Sequence, residues 1–245
     1  MKKVILSTIL ASTMMWSTAS FANDGQGIDL PGQFSGTVTG ASQYIFRGLT
    51  QSDEAPAIQG SLDWNHDSGV YLGTWGSNVD FNDGDESSVE IDVYGGVNFA
   101  AGGFDLGVGL IHYMYPGADS SLDYDYTEVT ASVGRDFGVA SATGSFFYSP
   151  DYFAGSGDSY YYNLALSAPI TALPGGLTFN AAVGHQSIDD EAAYGVPDYV
   201  DWNVGFGATV EGFDLSLSYK DTDLSRTECA DGCDGAVIFT ISRTL

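Results

Sequence analysis

Between Val89 and Phe99 the apolar side chains Val89, Ile91, Val93, Val97 and Phe99 fall on one parity, and Glu90, Asp92, Tyr94 and Asn98 fall on the other. A period of two is a strand with one apolar and one polar face. The pattern returns about twelve times, in segments of about ten residues separated by turn residues, which is the signature of a transmembrane β-barrel. Candidate strands fall at 34–47, 57–66, 70–79, 89–99, 104–115, 125–134, 138–148, 160–168, 177–186, 199–209, 213–220 and 236–245. Their connections alternate between short turns and longer loops, as in antiparallel outer-membrane barrels with short periplasmic turns and long extracellular loops.

The N-terminus reads as a leader. Lys2 and Lys3 precede an apolar run from Val4 to Trp16, and Ser20-Phe21-Ala22 has the small-x-small form of a secretory cleavage site. The expected organisation is a cleaved signal peptide at 1–22, a short periplasmic segment at 23–33 and one barrel at 34–245. No later segment reaches the roughly 18 apolar residues of a helical span, so membrane residence falls to strands. Loss of the leader leaves five basic residues against 32 acidic ones. Such a balance argues against nucleic acid as a partner.

A competing architecture is a soluble secreted β-sandwich with one wet face. Against it stand the rings Trp64, Tyr71, Phe99, Phe104, Tyr160, Tyr162, Trp202, Phe206 and Phe213, all read on the apolar parity and mostly near strand ends, where interfacial girdles place them. Gly103-Phe104-Asp105-Leu106 returns as Gly212-Phe213-Asp214-Leu215, each after a short turn, which suits an array of hairpins. A propeller needs about four strands per repeat and this chain offers two.

Acidic residues within the strands keep to the polar parity: Asp63, Glu90, Asp92, Asp105, Glu128, Asp201 and Asp214. Pointing inward, they are candidate pore-lining groups that enrich cations and oppose anions, or else a hydrated wall without a transport role. Arg47 joins them as a basic group at the mouth of the first strand, on the lumen parity, expected to pair with lumenal or loop acids, Asp53 or Glu54 among them, and so to anchor the first loop near the pore mouth.

Further acids crowd the long loops, among them Asp80, Asp83, Asp85 and Glu86, then Asp189, Asp190 and Glu191, then Asp221, Asp223, Glu228, Asp231 and Asp234. The oxygen spacing at 80–86 is off-register for a calcium loop, so a solvated acidic surface is expected, with no metal or cofactor. Cys229 and Cys233 are the only cysteines, and export favours a loop disulfide over a half-filled zinc site. His66, His112 and His185 take the apolar parity, away from any lumenal triad, and no enzyme is expected.

Tyr44-Ile45-Phe46-Arg47-Gly48-Leu49-Thr50-Gln51-Ser52, then Pro56-Ala57-Ile58-Gln59-Gly60, resembles the TorF-type family of porin-like proteins of Gram-negative bacteria. Matching segments continue at 67–73, 75–79, 90–96, 113–117 and 148–153. The resemblance implies an outer-membrane barrel with a porin-like role and supplies no catalytic residues. Its partners would be outer-membrane lipids, small hydrophilic or cationic solutes and, during biogenesis, the barrel-assembly machinery. Val237, Phe239 and Ile241 keep the alternating C-terminal pattern, but Leu245 stands where a terminal aromatic is usual, and Arg243 falls on the lipid parity. The expected function is passive diffusion of small hydrophilic solutes with a cation preference. The competing reading is a closed barrel acting through its acidic loops.

Overall fold

The computed structural model describes residues 30–82, 84, 87–171 and 176–245. The leader and the acids Asp83, Asp85 and Glu86 lie outside them. The strands are β1 (Gln33–Ala41), β2 (Ile45–Phe46), β3 (Leu49–Thr50), β4 (Ala57–Asn65), β5 (Val70–Asn78), β6 (Val89–Ala101) and β7 (Phe104–Met114). They continue as β8 (Tyr126–Asp136), β9 (Ser141–Ser149), β10 (Ser159–Pro169), β11 (Thr178–Ile188), β12 (Tyr199–Val210), β13 (Phe213–Thr222) and β14 (Ala236–Thr244). Twelve of them form a closed barrel in the order β1-β14-β13-β12-β11-β10-β9-β8-β7-β6-β5-β4. Every neighbouring pair is antiparallel, and β1 closes the ring with Val38 opposite Arg243 on β14 and Gly60 on β4. Closure leaves no free edge, the condition a sheet must meet to cross a bilayer. No helix among the described residues is long and apolar enough to do so.

The outer wall carries the apolar parity. Ile58, Leu72, Val93, Leu110, Val129, Leu164, Leu217 and Val237 are all exposed, Ile58 to 73%. Burying one such side chain is worth about 1.5–3 kcal/mol. A continuous band of them facing water would be untenable for a sandwich, whereas lipid accepts it. At the short-turn rim the Arg135 guanidinium lies 4.9 Å from the Phe104 ring and that of Arg243 lies 4.9 Å from the Phe213 ring. That placement accounts for a cation on the lipid parity, since near an interface it costs only about 0–1 kcal/mol.

Two expectations need correction, and the interior adds a feature of its own. Tyr71 faces inward, 9% exposed, between the outward Val70 and Leu72; its hydroxyl covers Gly96 and Gly109, where an added Cβ would lie 2.7 and 2.5 Å from it. The first strand ends at Ala41 and does not continue to residue 47, so Arg47 belongs to no barrel strand. The interior also holds a packed aromatic core that includes Tyr71, Trp75, Tyr94, Tyr113, Tyr126 and Tyr161. Apolar burial is therefore shared between lipid and lumen.

Candidate functional site

The connection between β1 and β4 folds into the barrel. β2 and β3 pair as a miniature hairpin, Ile45 with Thr50 and Phe46 with Leu49. Its two tip residues both have positive φ, 47° at Arg47 and 83° at Gly48. A two-residue turn of this hand matches the twist of the strands it joins, and glycine meets it without strain. Arginine does not, at a cost of about 1–2 kcal/mol, so the tip persists because its contacts outweigh the strain. Gly48 cannot carry a side chain, since a Cβ would sit 3.0 Å from Cβ of Asp201 and against Thr222. The base is tied by the Gln51 amide donating to the Tyr44 carbonyl at 2.8 Å and by the Tyr44 amide donating to Oγ of Ser52 at 3.0 Å.

Arg47 is 4% exposed. Its Nη2 donates to Oε2 of Glu128 on β8 at 2.7 Å, and its Nη1 donates to Oε1 of Gln186 on β11 at 2.9 Å. Around the ring β11 lies four strands from β1 and β8 four strands from β4, so the hairpin crosses the bore and grips the opposite wall. Four rings surround the guanidinium: Tyr161 at 4.3 Å, Phe46 at 4.6 Å, Phe147 at 5.0 Å and Tyr152 at 5.8 Å from its central carbon. Each is within the range in which a cation is drawn to a ring face. The anchoring partner is thus one of the lumenal acids, Glu128, and not the loop acids Asp53 or Glu54, which the short local connection made natural candidates. A turn that reaches across the barrel meets the far wall before its own flanks.

Asp63, Glu90, Asp92, Glu128 and Asp201 are all buried inside the barrel. Four of them accept from a phenol: Asp63 Oδ1 from Tyr94, Glu90 Oε1 from Tyr44 at 3.3 Å, Glu128 Oε2 from Tyr113 at 3.0 Å and Asp201 Oδ2 from Tyr161 at 2.8 Å. Glu128 Oε1 and Thr130 Oγ1 have no protein partner. Asp105 and Asp214 share the inward parity but are half-buried near the short-turn end, apart from this cluster. Lys220, also inward, approaches the Ile45 carbonyl at 3.5 Å. Sequence reasoning missed Gln186, Phe147, Tyr152 and Tyr161. The available signal was aromatic residues on the polar parity, as in Tyr160-Tyr161-Tyr162, where Tyr161 alone turns inward.

The long loops close over the plug. Phe81, Tyr115, Tyr124 and Phe153 pack ring to ring, Tyr124 and Phe153 stacked at 4.3 Å. Cys229 and Cys233 are joined by a disulfide, and within that small ring the Gly232 carbonyl accepts from the Thr50 amide at 2.8 Å. The last loop thereby holds the outer strand of the hairpin. Among the described residues no group of three or more His, Cys, Asp or Glu side chains is placed to hold a metal ion. His112 and His185 are exposed on the outer wall. His66 lies at the short-turn end, its Nδ1 2.7 Å from Oγ of Ser68 within the turn.

The barrel is similar to the crystal structure of an outer membrane channel from Pseudomonas putida F1, with a TM-score of 0.51 and 13% identity over 92% of this chain and 100% of that one. A membrane-protein chain from a study of in-meso crystallization gives a TM-score of 0.48 and 10% identity over 86% and 83% of the two chains. Acinetobacter baumannii OccAB4 gives 0.47 and 13% over 83% and 56%. No curated protein matches by sequence. Over residues 25–245 the sequence matches the model of the family described as bacterial protein of unknown function (Gcw_chp), and the chain belongs to that family.

Proposed function

We propose that this protein is an outer-membrane diffusion channel for small hydrophilic solutes, preferring cations, whose bore is shut by the β2–β3 hairpin. The observation that carries the reading is the acidic side chains of the interior. Five carboxylates are buried within the barrel. A barrel serving only as a scaffold would be more stable with apolar filling, because burying a carboxyl group costs free energy whether it stays ionised or takes up a proton, and pairing often no more than breaks even. Acids retained in a bore suit cation passage once water enters. The resemblance of 44–60 to TorF-type proteins supports a porin role, and a leader at 1–22 supports export through the periplasm to the outer membrane. In that orientation the long loops are extracellular.

A second reading, a permanently closed barrel acting through its acidic loops, is favoured by the hairpin that spans the lumen and the aromatic lid above it. Recording from protein refolded into planar bilayers separates the two. The channel reading expects discrete openings and, in a salt gradient, a reversal potential of cationic sign. Glu90→Gln with Asp92→Asn should move that potential toward zero, most clearly at low salt, where screening is weak. A bilayer that stays silent in wild type and in a variant lacking the hairpin anchor favours the closed barrel.

A further inference from the structure

We infer that the cage around Arg47 is a binding site for guanidinium solutes, and that Arg47 is its tethered occupant, displaced when such a solute enters. The inference rests on the channel reading and names a substrate class for it. When the hairpin leaves, most of the cage stays behind. Phe46 travels with the plug. Glu128, Gln186, Phe147 and Tyr161 belong to β8, β11, β9 and β10, and Tyr152 to the β9–β10 loop, so all five remain on the wall.

What remains has the complementarity of a receptor for a flat organic cation. Tyr161 and Phe147 offer ring faces at 4.3 and 5.0 Å from the present guanidinium carbon. Glu128 supplies a charge and Gln186 a neutral acceptor, at 2.7 and 2.9 Å from two different nitrogens of one fork. Carboxylate, amide and aromatic walls together select a delocalised cation able to donate in two directions, and they disfavour a small, strongly hydrated metal ion, which gains little from rings. Glu128 is fully buried and Oε1 has no protein partner. An empty cage would therefore leave a buried charge uncompensated, which favours an exchange of one cation for another. A side chain on a short tether acts at an effective concentration on the order of millimolar or more, so an external solute in the tens of millimolar competes with it.

The test uses methylguanidinium and its neutral isostere methylurea, on the full chain in detergent and in vesicles, with the gel shift of unboiled protein as the check on folding. Binding is read first, by titrating the tyrosine and tryptophan fluorescence, so that conduction is not required. Arg47→Ala should bind methylguanidinium at least tenfold more tightly than methylurea, and at least tenfold more tightly than Arg47→Ala/Glu128→Gln binds it. Equal binding of the two probes to folded Arg47→Ala overturns the inference. Should Arg47→Ala fail to fold, wild type carries the test. Methylguanidinium, and not methylurea, should then speed amide exchange across 45–50, and identical exchange with both overturns the inference. Conduction is scored separately. Selective binding in a variant that passes no ions upholds the cage and ends the channel reading, while an open variant blind to methylguanidinium upholds the channel and ends the cage.

Discussion

Replacing Arg47 by Ala should release the plug without unfolding the barrel. The guanidinium is buried, bonded to a fully buried Glu128 and to Gln186, and ringed by aromatic faces. Removing one partner of a buried ion pair costs about 3–5 kcal/mol, because the other charge is left without compensation. None of this energy holds a barrel strand: the ladders of β8 and β11 run through their neighbours and not through the hairpin. The loss therefore falls on the docking equilibrium of residues 42–56. At 1.4 kcal/mol per tenfold, amide exchange in β2 and β3 should accelerate by about two to three and a half orders of magnitude while the barrel amides keep their protection. Adding Glu128→Gln should recover part of the loss, since the amide needs no counter-charge, giving a coupling of about 0.5–3 kcal/mol in the double-mutant cycle. Arg47→Lys should fall between, keeping the charge but unable to reach Glu128 and Gln186 together while lying flat on the rings. Hairpin exchange within threefold of wild type in folded Arg47→Ala would refute the anchor, and a parallel collapse of barrel protection would refute its independence from the wall.

Other perturbations test separate parts of the structure. Cys229→Ser with Cys233→Ser should cost at most about 2 kcal/mol, given how short the closed loop is. It should also raise protease cleavage and exchange near Thr50, whose amide donates to Gly232; two free thiols by mass spectrometry in exported wild type would remove the bridge from the account. Gly96→Ala should destabilise the barrel by about 1–3 kcal/mol, read as a lower temperature for loss of the gel shift, because a Cβ would stand 2.8 Å from Gly109 Cα and against the Val108 carbonyl. Terminal sequencing of membrane-extracted protein should begin at Asn23, and retention of Met1 would disprove the leader.

The anchor was only half legible before the chain was folded. Tyr44-Ile45-Phe46-Arg47 continues the alternation of the strand before it, so the residues read as four more strand positions. Their departure from the wall depends on Arg47 and Gly48 both taking positive φ, and nothing local predicts that for an arginine. The acids were found because parity alone sends them inward. Their phenol partners were not singled out, since a tyrosine on the polar parity is equally at home in water, at an interface or in a core.

Period two determined the strands, their two faces and the antiparallel order with its short and long connections, because side-chain direction along a strand is set by the backbone within a few residues. Even Arg243, the awkward cation on the lipid parity, was placed correctly by counting. Only the tertiary structure decided that Arg47 meets Glu128 across 81 residues and Gln186 across 139. Those contacts arise when β1 closes on β14 and opposite walls come within one side chain's reach of a turn that belongs to neither. Alternation fixes which way a residue points, and closure of the ring fixes what it points at.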